Sequence, residues 1–325
     1  MKHKIVVYRK VNSKVLDYLR QKCEVIYFDQ LDDSSYPSFE AHLKDTHVLM
    51  GSGLKIDEEL LDKCPQLKMV SNISVGYDNL DLSLLTERNI VATNTPGVLN
   101  ETVADAVFGV LLSAARRIPE LDAYVKDGKW DATITEELFG LDVHGKVIGI
   151  VGMGGIGTAI AKRAHFGFGM DVLYHNRSRN EEAESVFNAA YCNLPDLLKQ
   201  SDFVCSMVPH SNVTKDLFSK EEFNMMKKSA IFINGSRGAV VDEDALYEAL
   251  INKEIAGAGL DVYKKEPIDV EHPLLKLQNV VTTPHIGSAT IETRLKMGML
   301  AANSILKVLA GEIPTNVLNE TANIN

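Results

Sequence analysis

The stretch KVIGIVGMGGIG, residues 146–157, decides the fold of the larger part of the chain. Its apolar, β-branched first part predicts a buried strand, and three glycines follow with the spacing G-x-G-x-x-G. TAIAKRAHFGFG (158–169) then predicts a helix, and DVLYH (171–175) predicts a second strand. A βαβ unit of about 30 residues around such a turn is typical of dinucleotide binding.

The glycines of this turn have separate roles. Gly152 allows a tight turn, Gly154 lets the backbone approach a pyrophosphate, and Gly157 lets the helix pack closely on the strand. The turn leads directly into the helix, so Gly155 and Ile156 belong to the helix N-terminus, where free N–H groups favour an anion. We therefore predict that residues 152–157 bind the diphosphate of a dinucleotide.

The second strand ends without the acidic residue that NAD-binding units carry about 20 residues after the glycines. LYHNRSRNE (173–181) instead places Asn176, Arg177, Ser178 and Arg179 there. Without the acid, repulsion of a 2′-phosphate disappears, and two arginines offer charge and bidentate donors to it. NADP(H) is therefore the predicted cofactor, with NAD(H) possible. The same residues also match a capping box, with Ser178 as N-cap and Glu181 three residues later, and both interpretations can hold.

Short apolar runs alternate with helical patterns along the whole chain, which predicts parallel sheets covered by helices. A long helical pattern at 100–128 separates two such series; Asn100 can cap it, and Pro119 should bend or break it. A helix capped by Asp242 lies in the second series, and a strongly periodic helix at 290–312 follows it. The predicted strands are 4–8, 24–28, 47–51, 68–72, 90–94, 146–152, 171–175, 202–207, 230–234, 255–262 and 280–285.

These patterns predict an α/β fold with two doubly wound parallel-sheet domains. A Rossmann dinucleotide-binding domain, residues 100–286, is inserted into a discontinuous flavodoxin-like substrate domain made of residues 1–99 and 287–325. The connection between the two series is the long helical segment.

Composition excludes several classes of partner. A net charge of −10 over 325 residues gives no electrostatic footprint for nucleic acid. The apolar run of MKHKIVVYRK is too short for a signal peptide, and the longest apolar segment, 106–115, is too short to cross a membrane. Cys23, Cys64, Cys192 and Cys205 lack the spacing of a metal site. We expect a cytoplasmic protein with no metal site and no membrane or nucleic-acid partner.

Three further stretches each follow a predicted strand: INGSRGAVVDEDAL (233–246), GLDVYKKEP (259–267) and TTPHIGSAT (282–290). Open α/β sheets bind ligands at the carboxyl ends of their strands. Arg237, Glu266 and His285 should therefore lie on one rim. Taken singly, each of these side chains is more often structural, whereas three together at the strand ends of one dinucleotide domain indicate a site.

Together with GMGGIG and SVGYDNLD (74–81), these stretches resemble the D-isomer-specific 2-hydroxyacid dehydrogenase family over nearly the whole chain. Within the family they are most similar to the branch of glyoxylate/hydroxypyruvate reductases and 2-ketogluconate reductases (gluconate 2-dehydrogenases). The resemblance implies an NAD(P)H-dependent reductase of small 2-oxoacids to D-2-hydroxyacids, with Arg237, Glu266 and His285 as the catalytic set. It also implies a homodimer built around residues 100–128.

The chemistry of these residues agrees with that role. Reduction of a 2-oxoacid requires a proton at the carbonyl oxygen, and a histidine beside a carboxylate is a natural donor. Glu266 would keep His285 charged and oriented, and the planar guanidinium of Arg237 can hold the substrate carboxylate. Backbone N–H groups of Val75 and Gly76 would bind the same carboxylate.

The resemblance assigns several other residues by position. It implies that Ser288 lies at the substrate, that Asp261 lies near the nicotinamide, and that Pro209, Gly235 and Gly287 line the path of the cofactor. Ser52 and Gly53, after the third strand, form either a plain turn or a substrate contact.

Two alternative functions share these features. One is a dinucleotide-sensing binding protein similar to corepressors of this fold, which the fold alone cannot exclude, although no extra basic patch for a partner is present. The other is an NAD-linked phosphoglycerate dehydrogenase, which the missing ribose acid disfavours. The identity of the 2-oxoacid stays open at this point.

Overall fold

The computed structural model describes residues 2–319, and their contacts divide them into two compact units. The first unit combines residues up to Leu99 with those from Thr290 onwards, and the second comprises Asn100–Ala289. The second crossing lies three residues beyond the expected 286/287 boundary. Residues 286–289 stay with the second unit because Ala289 N–H donates to the Ile286 carbonyl and Gly287 N–H to the Asp261 carboxylate.

The first unit contains a five-stranded sheet in the order β2-β1-β3-β4-β5, and all of its paired strands are parallel. The strands are β1 (Lys4–Val7), β2 (Glu24–Tyr27), β3 (Val48–Gly51), β4 (Met69–Asn72) and β5 (Val91–Thr93). The helices are α1 (Ser13–Arg20), α2 (Tyr36–Leu43), α3 (Glu58–Asp62), α4 (Leu82–Glu87) and, from the end of the chain, α12 (Ile291–Leu309). This strand order is the flavodoxin-like one, as predicted.

The second unit contains a seven-stranded parallel sheet in the order β12-β11-β10-β9-β6-β7-β8. The strands are β6 (Val147–Val151), β7 (Asp171–His175), β8 (Ala190–Tyr191), β9 (Phe203–Ser206), β10 (Ile231–Asn234), β11 (Gly257–Leu260) and β12 (Val280–Thr282). The helices are α5 (Asn100–Arg116), α6 (Ile118–Lys126), α7 (Gly155–Lys162), α8 (Glu181–Phe187), α9 (Leu194–Gln200), α10 (Lys220–Met225) and α11 (Glu243–Ile251). Six of these strands follow the Rossmann order and β12 extends it, which confirms the predicted fold class.

The central strands of both sheets are buried on both faces, which is why they read as continuous apolar runs in the sequence. All four residues of β1 and of β10 are buried, for example. Parallel strands covered by helices on both sides require this pattern. Strand β8 escaped prediction because it has only two residues, both of them exposed.

The helical segment 100–128 is broken at Arg117, two residues before the proline that predicted the break. Arg117 adopts a left-handed backbone with φ 55°, and Pro119 lies in the first turn of α6. A proline in a continuous helix would lack the N–H that bonds the carbonyl four residues earlier. That carbonyl, on Ala115, instead accepts a hydrogen bond from the N–H of Leu141 at 2.8 Å.

The helices of residues 2–319 include none that is both long and apolar enough to cross a bilayer. Within the same residues, no group of three or more His, Cys, Asp and Glu side chains is arranged to hold a metal ion.

Candidate active site

The glycine turn between β6 and α7 has the shape that a bound diphosphate requires. Gly152 has φ 106°, and a Cβ there would lie 2.7 Å from the backbone of Met207. A Cβ at Gly157 would lie 2.2 Å from the Gly152 carbonyl oxygen, so the helix can approach the turn only without a side chain. A Cβ at Gly154, in contrast, would meet no atom within 4 Å. The backbone at Gly154 therefore faces open space at the N-terminus of α7, where an anion is stabilised.

The loop after β7 carries the arginines that the sequence singled out, and they differ in their surroundings. Arg177 is exposed. Arg179 is also exposed, but its guanidinium donates from Nε at 2.9 Å and from Nη2 at 2.7 Å to the carboxylate of Glu184. Arg179 lowers the pKa of Glu184, and Tyr174 donates a further hydrogen bond to the same carboxylate. Part of the charge of Arg179 is thus already neutralised within the protein.

The predicted capping box at Ser178 is wrong. Helix α8 begins at Glu181, and its N-cap is Asn180, whose side chain accepts from the N–H of Ala183 at 3.0 Å. Asparagine is at least as good an N-cap as serine, so the helix can start two residues later than a cap at Ser178 would place it. Ser178 is therefore an exposed loop residue.

Asn180 has a second role that the sequence did not indicate. Its side-chain amide donates to the Met153 carbonyl at 3.1 Å and to the Thr158 hydroxyl at 3.3 Å. These bonds connect the loop after β7 to the glycine turn and to α7. The only sequence signal for this residue is its position directly before the acidic run EEAE, which marks a helix start.

Glu266 and His285 form a hydrogen-bonded pair in the loops after β11 and β12, at the end of the strand order away from β7. Oε2 of Glu266 lies 2.7 Å from Nδ1 of His285, and both side chains are partly accessible. Oε1 of Glu266 accepts from the N–H of Tyr263 at 3.0 Å. Burial acts to raise the pKa of Glu266, but the bonds from His285 and Tyr263 together with the charge of Arg237 outweigh it and lower that pKa. The carboxylate is therefore held ionised against the imidazole.

The backbone of the His285 loop is held by a buried carboxylate. Asp261 accepts from the Thr283 hydroxyl at 2.6 Å, from the Ile286 N–H at 2.8 Å and from the Gly287 N–H at 2.9 Å. His285 itself lies in the left-handed region with φ 53°. Such a conformation costs about 1–3 kcal/mol outside glycine and persists only where the surroundings enforce it. Asp261 holds the backbone in this conformation through its bonds to Thr283 before the histidine and to Ile286 and Gly287 after it.

Arg237 follows β10 and is brought to the same edge as the pair. Its carbonyl accepts from the Asn234 amide at 3.0 Å, and its guanidinium donates to the Ser236 carbonyl at 2.8 Å. A Cβ on the next residue, Gly238, would overlap the backbone of Tyr263, so the two loops touch through their main chains. The structure thus brings together the three residues that the sequence placed on one rim.

Two other expected cofactor residues of this unit, and the expected substrate residue Ser288, lie along the same carboxyl edge. Pro209 follows β9, and its carbonyl accepts from the Thr214 hydroxyl at 2.6 Å. Gly235 follows β10, and a Cβ there would lie 2.6 Å from the Val107 side chain of α5. Ser288 lies within the turn that the Ala289 N–H closes on the Ile286 carbonyl. These positions are consistent with a path for an extended ligand along the sheet edge.

In the loop after β4, in the first unit, the carbonyl groups of Ser74 and Val75 are hydrogen-bonded to the segment after β5. The Ser74 carbonyl accepts from the Thr95 N–H at 2.9 Å, and the Val75 carbonyl accepts from the Asn94 amide at 2.9 Å. In a trans peptide the following N–H points the opposite way. The N–H groups of Val75 and Gly76 therefore point away from these partners, in the orientation that an anion requires.

Two asparagines that fix this loop were missed from the sequence. Asn94 holds the Val75 carbonyl, and Asn72 donates from its side chain to the Gly76 carbonyl at 2.8 Å. Both are buried polar residues. Each stands at the end of a predicted strand, KMVSN and IVATN, and this position at a ligand-binding edge is the signal that could have found them.

Residues 108–287 match the model of the family described as D-isomer specific 2-hydroxyacid dehydrogenase, NAD binding domain. This match spans more than half of the chain and includes the glycine turn, Arg237, Glu266 and His285. The chain belongs to the D-isomer specific 2-hydroxyacid dehydrogenases.

Relatives of this dehydrogenase are similar to it over almost their full lengths. It is 47% identical over 319 residues to glyoxylate/hydroxypyruvate reductase B of Escherichia coli O6:H1, with 98% of each chain covered. Among solved structures, the TT0316 protein of Thermus thermophilus is 40% identical, with a TM-score of 0.88 and 97% and 99% of the two chains covered. An NADPH-dependent glyoxylate/hydroxypyruvate reductase of Sinorhizobium meliloti, solved with NADP and malonate, is 32% identical, with a TM-score of 0.86 and 99% and 98% covered.

Proposed function

We propose that this dehydrogenase is an NADPH-preferring reductase of small 2-oxoacids, with glyoxylate, hydroxypyruvate or 2-ketogluconate as substrate and a D-2-hydroxyacid as product. The observation that carries the proposal is the Glu266–His285 pair at the edge of the second sheet. The same sheet carries the glycine turn 152–157, and β7, the next strand after that turn, ends without an acidic residue. The names of the similar glyoxylate/hydroxypyruvate reductases support the choice of substrate.

His285 is the proton donor in this proposal. Its Nδ1 is engaged by Glu266, so Nε2 is the ring nitrogen left to donate to the carbonyl oxygen of the substrate. Glu266 stabilises the imidazolium and fixes its orientation. Because the pKa of Glu266 is lowered, its carboxylate stays ionised at pH values where an ordinary glutamate would be protonated. In the reverse direction the neutral imidazole accepts the proton from the hydroxyl group.

We assign carboxylate binding to Arg237 in the second unit and, separately, anion binding to the loop after β4 in the first unit. The guanidinium of Arg237 has a planar arrangement of donors that matches a carboxylate. The N–H groups of Val75 and Gly76 are oriented for an anion because the preceding carbonyls are bonded within the first unit. Ser288, in the turn after His285, is proposed to contact the substrate as well.

The residues of the second unit fit a bound dinucleotide, which supplies the hydride for the carbonyl carbon. Residues 152–157 would hold its diphosphate at the N-terminus of α7, since the backbone of Gly154 is open to it. Asn176, Arg177, Ser178 and Arg179 would hold the 2′-phosphate of NADP. NADH can use the same turn but gains nothing from the arginines. Pro209, Gly235, Asp261 and Gly287 complete the cofactor path.

We propose that the protein forms a homodimer and, within and beyond the expected segment 100–128, assign the contact to residues 118–141, because much of α5 is already buried. Helix α6 has no buried residue, although it and the following segment are rich in apolar side chains. Exposed large apolar residues in this range are Ile118, Val125, Trp130, Ile134, Phe139 and Leu141. Exposed apolar side chains grouped in this way are typical of a protein–protein contact surface. A cytoplasmic location, in agreement with four unpaired cysteines among the described residues, is part of the same proposal.

The proposal is tested by initial rates with NADPH and NADH against a panel of 2-oxoacids. Faster turnover of glyoxylate, hydroxypyruvate or 2-ketogluconate with NADPH supports it. Saturable binding of NADPH without turnover of any 2-oxoacid would instead indicate a dinucleotide-sensing binding protein.

A further inference from the structure

The first unit carries an arginine at the carboxyl edge of its sheet that takes part in no ion pair within residues 2–319. Arg9 follows β1, and its guanidinium donates a hydrogen bond to the hydroxyl of Ser52, directly after β3. Strands β1 and β3 are neighbours in the sheet. The contact therefore joins the ends of two adjacent strands at the edge where α/β sheets bind their ligands.

Helix α12 brings a second arginine to this place. A Cβ at Gly298 would lie 2.8 Å from the Val15 side chain, and the Tyr18 hydroxyl donates to Asn303 at 2.9 Å. Helices α1 and α12 thus run side by side in the same direction. One turn before Gly298, Arg294 must lie beside the chain that leads from β1 into α1, which begins with Arg9.

Neither guanidinium has an acidic partner in the described part of the chain. Among residues 2–319, no carboxylate oxygen lies within 4.0 Å of Arg9 or Arg294; Arg294 is half-buried, whereas Arg9 is exposed. Burial and the charge of Arg9 lower the pKa of Arg294. Two like charges close together, one of them partly desolvated, repel each other, and an anion bound between them would offset that repulsion.

The distance to the loop after β4 limits what this anion can be. The sheet order β1-β3-β4 places Ser52 one strand from Val75 and Gly76, and Arg9 two strands from them. Neighbouring strands lie about 4.8 Å apart, so the separation is about 5–10 Å. A chain of four or five carbon–carbon bonds of about 1.5 Å each reaches at most about 6–7.5 Å, which covers the one-strand separation. The guanidinium of Arg9 lies within that reach because it is bonded to the Ser52 hydroxyl.

We propose that Arg9, Arg294 and the Ser52 hydroxyl form a second anion subsite, which takes the far acidic group of an extended 2-oxoacid whose own carboxylate lies at Val75 and Gly76. The proposal rests on the proposed function and adds 2-oxoacids with a terminal carboxylate or phosphate to its substrate class. Each guanidinium donates to the terminal anion, and the Ser52 hydroxyl, already bonded to Arg9, fixes one of them in place.

The test compares substrates that differ only in the terminal group. The pairs are 2-oxoglutarate with 2-oxopentanoate, for a carboxylate, and 3-phosphohydroxypyruvate with hydroxypyruvate, for a phosphate. For each pair the ratio of kcat/KM values is measured in the wild type, in Arg9→Gln, in Arg294→Gln and in Ser52→Ala. Arg20→Gln is the matched control, since Arg20 is an exposed arginine of α1 away from this edge.

In the wild type we expect a ratio of about ten or more in favour of the terminal anion in at least one pair, which identifies its chemical source. Each arginine variant should lower that ratio about tenfold, mainly through KM, whereas Arg20→Gln should keep it. A wild-type ratio near one in both pairs, or arginine variants that keep the wild-type ratio, would overturn the subsite.

Failure of the proposed function has a different signature, namely no turnover of any 2-oxoacid with either nicotinamide cofactor. The subsite is then tested by calorimetry with glutarate and with inorganic phosphate. Binding in the wild type that weakens at least tenfold in Arg9→Gln and Arg294→Gln supports it. Absence of binding, or equal binding in all variants, overturns it. Circular dichroism checks that each variant is folded, and Ser52→Ala, a smaller change, supplies the same readout if an arginine variant is not.

Discussion

Oε2 of Glu266 lies 2.7 Å from Nδ1 of His285, and Oε1 of the same carboxylate accepts a hydrogen bond from the N–H of Tyr263. This arrangement leaves Nε2 of the imidazole for a substrate. It also sets the pH range of the pair. Because the pKa of Glu266 is lowered, the carboxylate stays ionised as pH falls into the acidic range, and the pair is lost only when pH drops through that lowered pKa.

Replacing Glu266 by glutamine should remove the acidic limb of the reduction profile, because the carboxylate whose lowered pKa sets that limb is gone, and should lower kcat/KM because the charge beside His285 is removed. Measurement of kcat/KM for hydroxypyruvate against pH checks this. Glu243→Gln is the control, since Glu243 contacts a different histidine, His272, at 3.4 Å in the same unit. A Glu266→Gln profile that superimposes on the wild-type one would show that Glu266 does not support the proton donor.

Asp261→Asn should disturb the position of His285 without removing any group that carries the proton. The new amide group would face N–H donors where a carboxylate oxygen now accepts from Ile286 or Gly287. Loss of such a bond costs about 1–3 kcal/mol, so kcat should fall about tenfold or more. Hydrogen exchange at residues 283–287 should become faster. Unchanged exchange in a variant with low activity would mean that Asp261 acts on the cofactor alone.

The arrangement of strands and the edge that carries the site could be predicted from the sequence. Buried parallel strands read as apolar runs, and the residues after them fall on one edge whatever the details of packing. Arg237, Glu266 and His285 were placed together on this ground, and the structure has them at neighbouring loops. The expected roles of these residues stay predictions.

Features that depend on the exact residue at which a helix starts could not be predicted. Ser178 and Asn180 are both good N-caps, and the choice between them depends on how Asn180 also reaches Met153 and Thr158. The bond between Arg179 and Glu184 follows from that helix start and was equally hidden. Contacts between distant parts of the chain, such as the bonds from Asn72 and Asn94 to the loop after β4, leave no periodic signal.

The two arginines after β7 should contribute unequally to NADPH affinity. Arg177→Gln should weaken NADPH binding about tenfold and leave NADH binding nearly unchanged, because a 2′-phosphate loses a charged partner. Arg179→Gln should have a smaller effect, since Glu184 already occupies that guanidinium. Glu184→Gln should release Arg179 and tighten NADPH binding. Fluorescence titration with both cofactors measures this, and equal effects at Arg177 and Arg179 would contradict it.

The proposed dimer can be followed through Trp130, which is the single tryptophan of the chain and is 63% exposed. Association through residues 118–141 should bury it and shift its emission to shorter wavelength as the protein concentration rises. Phe139→Glu should weaken association by placing a charge in the apolar contact, whereas Val213→Glu, an exposed apolar residue outside the segment, is the control. Sedimentation gives the mass, and a monomer at all concentrations would contradict the dimer.

The central claim is that the chain reduces 2-oxoacids with NADPH and delivers the D product. It is tested most directly by incubating the enzyme with hydroxypyruvate and each nicotinamide cofactor, following cofactor oxidation, and determining the enantiomer of the glycerate formed. We expect D-glycerate, with a higher kcat/KM for NADPH than for NADH, and loss of nearly all turnover in His285→Ala while NADPH still binds. Formation of L-glycerate, a higher kcat/KM for NADH, or turnover that survives in His285→Ala would contradict it.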